Sequence, residues 1–308
     1  MAEMTDTELL SGIYGAPPPH LADAPKEAHQ LSPLYPGARD LGKAAPGSYS
    51  SIAMLAPSGT LERRHALAEA LLALTRGATL IALAPKDKGG ARLAKELKSF
   101  GCAVTETSKS HHRICVVRRP EMLIGYNEAL NAGGPRSAED IGLWTQPGVF
   151  SWNRLDPGSI LLTTRLPQLQ GKGADLGCGV GHLSLSVLKS STVDRIDLID
   201  IDRRAVACAK RNITDPRAHF HWADAARAPS MANLDFVVMN PPFHNAGTED
   251  KALGQVFIQC AAKLLRPGGI CWIVANRHLP YEAALAAAFK SVRLDHEAGG
   301  FKIFEAKA

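Results

Sequence analysis

The sequence predicts an α/β chain of two tandem Rossmann-like domains. Two separate runs of alternating apolar strands and amphipathic helices carry that expectation, with a glycine- and proline-rich stretch between them. At 308 residues the chain also exceeds the usual size of one domain. In the first run, residues 52–56 and 79–84 read as strands, and 61–75 and 91–99 as helices. In the second, apolar strands fall at 174–176, 196–199, 236–239 and 270–274, with helical patterns between them and a closing hairpin at 292–297 and 302–306. Gly133-Gly134-Pro135 and Pro147-Gly148 mark the linker region, giving expected domains 1–145 and 146–308. The first fifty residues hold seven of the twenty prolines and no sustained apolar period, so they read as loop-rich or partly extended.

Composition narrows the function classes. The chain is 45% hydrophobic and 21% charged, with no apolar run of the roughly 18 residues that cross a bilayer. Its acidic start lacks the basic and apolar regions of a secretory signal, so no membrane association and a cytoplasmic location are expected. Six cysteines show neither a Cys-x-x-Cys pair nor zinc-like spacing with histidine, which predicts reduced thiols and no metal site. A net charge of +5 does not by itself specify a nucleic-acid partner.

The first chemical motif is Asp175-Leu-Gly177-Cys-Gly179-Val-Gly181, which follows an apolar strand and opens a helical stretch at 182–189. Glycine at every second position lets backbone approach a ligand closely. The Gly-x-Gly-x-Gly spacing departs from the Gly-x-Gly-x-x-Gly of dinucleotide-binding turns, which argues against a nicotinamide-dependent oxidoreductase. The following strand ends in Asp200-Ile-Asp202, where a doubly wound fold places a ribose-binding carboxylate. Asp200 is assigned the ribose hydroxyls, whereas for Asp202 capping of the helix from Arg203 leads over a cofactor contact. Asp224 lies after the next strand, where it can accept from an adenine amine or serve as an ordinary loop aspartate.

The sharpest signal is Val237-Val-Met-Asn240-Pro241-Pro242-Phe243-His244, an apolar strand running straight into Asn-Pro-Pro-aromatic. Two prolines remove two backbone donors and leave carbonyl acceptors at the carboxyl end of the strand. Such a loop suits an exocyclic amine, a poor nucleophile because its lone pair is delocalised into the ring. Acceptance of its two N–H groups by Asn240 Oδ1 and the Pro241 carbonyl aims the nitrogen at a sulfonium methyl. Phe243 is placed to stack on an extruded base and His244 to touch its edge or the backbone beside it. The predicted cofactor is S-adenosylmethionine.

From Pro147 onward the sequence resembles the methyltransferase small domain of the bacterial rRNA guanine-N2 methyltransferases. The matching segments include Pro147-Gly-Val-Phe150-Ser, Leu155-Asp156-Pro-Gly158-Ser, the glycine turn, Asn240-Pro-Pro-Phe-His244, Arg266-Pro-Gly-Gly269 and Gly300-Phe301-Lys302. The resemblance implies two tandem class I methyltransferase domains, the N-terminal one degenerate and turned to holding RNA. A single glycine, Gly59, within 52–61 agrees with a lost cofactor turn, whereas the proline-rich start departs from the family's regular N-terminal sheet. The implied substrate is the N2 amine of a guanine in ribosomal RNA, 16S rRNA of the small subunit, acted on by a monomer.

One feature supports an RNA partner independently. Lys86, Lys88, Arg92, Lys95, Lys98, Lys109, Arg113, Arg118 and Arg119 meet only Asp87, Glu96 and Glu106 in the same stretch, a patch suited to phosphates, with Lys95 and Lys98 at its centre. A solvated helix face would look the same. Asn-Pro-Pro-aromatic also serves protein glutamine and DNA adenine methyltransferases, and a non-catalytic ribosome-assembly protein is a further alternative.

Overall fold

The computed structural model describes residues 10–227, 231–242, 244–245, 248–249 and 251–308. The chain divides into two compact units, 1–134 and 135–308. The division falls earlier than the expected boundary at 145, so Pro147-Gly148 is not a linker but part of the second unit. Val149 two residues on is buried with Val180, Ala205 and Cys208, which ties that segment to the second unit.

The first unit contains β1 (Leu10–Tyr14), β2 (His29–Gln30), β3 (Tyr49–Leu55), α1 (Thr60–Ala73), β4 (Leu74–Pro85), α2 (Ala91–Ser99), β5 (Val104–Lys109), β6 (His112–Arg118) and α3 (Tyr126–Gly133). Its sheet runs β2-β1-β3-β4-β6-β5, with β2, β1, β3 and β4 parallel and the β5–β6 hairpin antiparallel on β4. The described part of the first fifty residues is loop-rich and partly extended, as expected, yet it is not peripheral: β1 lies inside the sheet, and Tyr14, Leu31 and Leu41 are buried in the core. β1 is only Leu-Ser-Gly-Ile-Tyr, too short and too polar to show a strand period.

The second unit contains β7 (Arg136–Ala138), β8 (Leu143–Thr145), α4 (Pro157–Arg165), β9 (Gly171–Leu176), α5 (His182–Val187), β10 (Val193–Asp200), α6 (Arg203–Asn212), β11 (Ala218–Trp222), β12 (Leu234–Met239), β13 (His244–Asn245), β14 (Thr248–Glu249), α7 (Lys251–Leu264), β15 (Leu265–Asn276), α8 (Glu282–Ala288), β16 (Ser291–Ala298) and β17 (Phe301–Lys307). Its sheet runs β11-β10-β9-β12-β15-β17-β16, five parallel strands closed by the predicted antiparallel hairpin. β9, β10 and β12 are almost wholly buried, as a parallel strand covered on both faces must be.

The two sheets share one topology in one chain order. β1, β2, β3, β4, β5 and β6 correspond to β9, β10, β12, β15, β16 and β17, and β11 has no counterpart. α1 and α7 both span 14 residues and both lead directly into 12-residue strands. Those strands carry the same bulge: Tyr49 pairs Leu74 before the register jumps to Ser51 with Thr79, and Leu234 pairs Leu265 before it jumps to Phe236 with Ile270. Gly77 and Gly268 turn the chain inside each bulge with φ of +76° and +79°.

This correspondence corrects the sequence reading of where a cofactor turn has been lost. The segment at 56–59, after β3, matches the loop after β12. The counterpart of the glycine turn follows β1 and reads Gly15-Ala-Pro17-Pro18-Pro19, in which three residues have no N–H to offer. Gln30, ending β2 as Asp200 ends β10, closes that turn: its Oε1 accepts from Gly15 N at 3.0 Å, Leu31 N at 3.0 Å and Ser32 N at 2.9 Å, and its Nε2 donates to Gly15 O at 2.9 Å.

At the segment matching the Asn-Pro-Pro loop, the first unit carries its own occupant. Arg63 of α1 is fully buried; its Nη1 donates to Pro57 O at 3.1 Å and Ser58 O at 2.7 Å, and its Nε and Nη2 to Glu96 at 2.7 Å each. Removing one member of a buried pair strands the other charge, at a cost of about 3–5 kcal/mol. Glu96→Ala is expected to lower unfolding stability by about that amount in denaturant titration, and Arg63→Met/Glu96→Leu by much less.

Candidate active site

The glycine turn forms because β9 ends at a topological switch point, β10 on one side and β12 on the other, where loops diverge and leave a crevice. Gly177, Gly179 and Gly181 take φ of +74°, +53° and +90°, a region that disfavours side chains. A Cβ on Gly179 would meet nothing within 4 Å, so the backbone there faces open space. Gly177 N and Cys178 N donate to Ile199 O at 2.9 and 3.0 Å, which pins the turn to β10.

Asp200 stands at the carboxyl end of β10. Its Oδ2 accepts from Gly179 N and its Oδ1 from Asp202 N, both at 2.8 Å. A carboxylate accepts about four hydrogen bonds, so even with the Ile201 backbone N–H also directed at it Asp200 keeps acceptor capacity for a hydroxyl. Burial pushes the Asp200 carboxyl up to about 6, against the pull of the backbone N–H groups of Asp202 and Gly179. Asp202 instead caps α6 through Arg204 N at 2.9 Å and pairs with the Arg204 guanidinium at 2.8 Å. Asp224 accepts from Ala226 N at 2.9 Å and lies 3.4 Å from Arg227 Nε, at the start of a short 3₁₀ turn.

Asp175 sits under the turn rather than in it. It is fully buried, its Oδ2 accepts from Ser184 Oγ at 2.7 Å, and burial pushes its carboxyl up to about 7. Cys178 is a buried free thiol, its pKa raised by burial, and no group of His, Cys, Asp or Glu able to hold a metal ion occurs among the described residues.

Asn240 leaves β12 opposite the turn, followed by Pro241, buried, and Pro242, half-buried. Its Nδ2 donates to Asp156 Oδ2 at 2.8 Å and to Ser159 Oγ at 2.9 Å. With both amide protons engaged, Oδ1 is the end of the side chain left without a partner among the described residues. The segment Asp156-Pro-Gly-Ser is built for this. Asp156 caps α4 by accepting from Ser159 N at 2.7 Å, and Pro157 takes the first helical position. A Cβ on Gly158 would lie 2.8 Å from the Phe301 ring.

Phe150, Asp156, Ser159, residues 177–180, His182 and Asn240 line one open cleft. His182 Nε2 is buried and without a protein hydrogen-bond partner, and burial lowers the imidazole pKa, which keeps the ring neutral at pH 7. An open backbone turn, a carboxylate with spare acceptors and an orphaned ring nitrogen together suit a nucleoside bearing a polar tail, as S-adenosylmethionine does. Of the residues assigned from sequence, Gly177, Gly179 and Asn240 line this cleft and Asp200 adjoins it through Gly179 N, whereas Asp156, Ser159 and His182 were assigned no role. The only signal for Asp156 and Ser159 was their place in a matching segment. Phe243 lies outside the described residues; the His244 backbone is described, paired in β13 with Glu249 of β14. Lys95 and Lys98 are exposed on α2 of the first unit.

A sheet in this order, with a Gly-x-Gly-x-Gly turn after its first strand, an acidic residue ending the next and Asn-Pro-Pro after β12, defines a class I S-adenosylmethionine-dependent methyltransferase. The family model for the methyltransferase small domain matches residues 140–305. Ribosomal RNA small subunit methyltransferase C of Acinetobacter baylyi is 32% identical over 238 residues, covering 74% of this chain and 70% of that protein. Its namesake from Hahella chejuensis is 34% identical over 170 residues, covering 54% and 50%. The T. thermophilus 16S rRNA N2 methyltransferase, solved with AdoMet and guanosine, is 27% identical with a TM-score of 0.73, covering 87% of this chain and 75% of that one. The chain belongs to the ribosomal RNA small subunit methyltransferase C family. It spans about half the length of several of these relatives.

The ionised Asp200 carboxylate is the form that accepts hydroxyl donors. Cofactor affinity is therefore expected to be flat above pH 6 and to fall below it, by up to about tenfold per pH unit for one proton. Calorimetric titration from pH 5 to 8 checks this, with Asp200→Asn binding weakly and without that pH dependence.

Proposed function

We propose that this chain transfers a methyl group from S-adenosylmethionine to the exocyclic N2 amine of a guanine in 16S ribosomal RNA, with the second unit catalytic and the first holding RNA. The observation that carries the reading is the fixed amide of Asn240: Asp156 and Ser159 take its protons, so the atom it offers to the cleft is an acceptor. An amine is the group that such an acceptor selects. The relative from T. thermophilus, solved with guanosine, supports guanine over adenine or glutamine as the bearer of that amine.

The cofactor supplies an electrophilic methyl on a sulfonium. Residues of the glycine turn and Asp200 hold its nucleoside, and Asp224 is assigned the adenine amine. Asp175 acts from below by bracing the turn against α5 through Ser184. Asn240 Oδ1 and the Pro241 carbonyl each accept one N–H of the base amine, which directs the nitrogen lone pair along the transfer line and eases the nitrogen toward tetrahedral geometry. The methylated nitrogen is a strong acid and releases its proton to water, so none of these side chains has to act as a general base.

Methyl transfer from labelled S-adenosylmethionine to small ribosomal subunits of cells lacking this protein tests the reading. The expected product is N2-methylguanosine; label in protein or in N6-methyladenosine moves the reading to another amine. Asn240→Ala is expected to reduce turnover about 10²- to 10³-fold while cofactor affinity stays within about twofold, because the side chain is assigned to the substrate amine.

The RNA role of the first unit rests on its exposed cations. Glu96 is withdrawn from the surface by Arg63, so it does not offset Lys95 and Lys98 on the same helix. Lys95→Glu/Lys98→Glu is expected to weaken RNA binding and to flatten its dependence on salt.

A further inference from the structure

We infer that α6 of the catalytic unit is a second RNA contact surface, where three cations laid over three aromatic rings grip the strand whose base enters the cleft. The inference rests on the rRNA reading above and extends it to a part of the chain outside the cofactor and amine contacts.

α6 carries Arg203, Arg204, Lys210 and Arg211 and no acidic residue. Its apolar positions Ala205, Val206, Cys208 and Ala209 are buried against the unit, which turns the cations outward. Arg204 is committed to Asp202. The other three each lie over a ring supplied by a different position: Arg203 over Trp222 at 5.1 Å, Lys210 over Phe220 at 6.0 Å and Arg211 over Trp144 at 4.5 Å. Lys210 and Arg211 are exposed, and Trp144 keeps 37% of its surface open.

The pairing of charge with rings selects the partner. Cations alone attract any anionic surface. The open Trp144 ring beside them adds a face on which an unpaired base stacks, and guanidinium planes stack on bases as well. An acidic peptide gains nothing from those rings. Each cation resting on a ring is also held in place before binding, so less side-chain freedom is lost when a phosphate arrives.

The surface is tied to the cleft by one residue. Asn212, the last of α6, accepts from Trp144 N at 2.7 Å, donates to Trp144 O at 3.0 Å and donates to Val180 O of the glycine turn at 2.9 Å. The hairpin carrying Trp144, the helix carrying Arg211 and the turn facing the cofactor are thus fastened at one point. RNA delivering a base to Asn240 passes a wall whose outer face is this basic and aromatic surface.

The test is binding of the full chain to small-subunit rRNA across a potassium chloride series, with S-adenosylmethionine affinity and melting temperature measured in parallel. Lys210→Ala/Arg211→Ala is expected to reduce the slope of log K against log salt by about 1.4–1.8, two phosphates at about 0.7–0.9 each, with cofactor affinity unchanged. Lys210→Arg/Arg211→Lys should keep the wild-type slope, and Trp144→Leu should lose about tenfold in affinity with the slope retained. A wild-type slope in the double alanine variant of unchanged melting temperature overturns the inference and leaves the methylation reading standing. Wild-type protein that neither binds nor methylates rRNA overturns the reading beneath it.

Discussion

A chain leaving the carboxyl end of a buried parallel strand must satisfy its own backbone donors before it can present anything to a ligand. Both units face this constraint at the same place in the sheet, and their different answers decide what each becomes. In the second unit Ile199 O and the Asp200 carboxylate take the N–H groups of Gly177, Cys178 and Gly179, and Asp200 retains acceptor capacity on its open side. In the first, Gln30 takes Gly15 N and returns a proton to Gly15 O, closing the turn on itself. A carboxylate has only acceptors to give, so it leaves an unfilled demand for donors; an amide satisfies both partners and leaves none.

The second loop repeats the contrast. Carbonyls at Pro57 and Ser58, in the position of the Asn-Pro-Pro segment, accept N–H groups from a planar nitrogen cation of the same chain. In the second unit the matching acceptors are Asn240 Oδ1 and the Pro241 carbonyl, which the function proposed above assigns to a planar amine from outside. What the fold provides at this point is a set of carbonyl-type acceptors at the end of a strand, and the two units differ in who supplies the protons.

Much of this was legible in the sequence. The glycine turn, Asp200 and Asn-Pro-Pro are local signals whose chemistry sits within a few residues, and the strand periods of the second unit placed its sheet correctly. What the sequence hid depends on long separations. Asn240 is fixed by residues 84 and 81 positions away, and Arg63 finds Glu96 33 positions on. The first unit misled for a related reason: β1, five residues with a serine and a glycine, is a strand because of its neighbours. Without it the turn after β3 looks like the first of the sheet, and the counterpart of the glycine turn is sought two strands too late. The Pro147-Gly148 break likewise read as a linker because the burial of Val149 against Val180 is invisible in composition.

Arg63 has a consequence for how the whole chain responds to its surroundings. A loop whose carbonyls are filled from within its own unit has no vacant state at that point, so its stability there does not depend on an added ligand. A unit that binds a cofactor, by contrast, gains stability in proportion to the logarithm of cofactor supply once the dissociation constant is exceeded. One strand order, used twice in this chain, thus serves a loop that is filled constitutively and a fold whose persistence can follow the supply of a ligand.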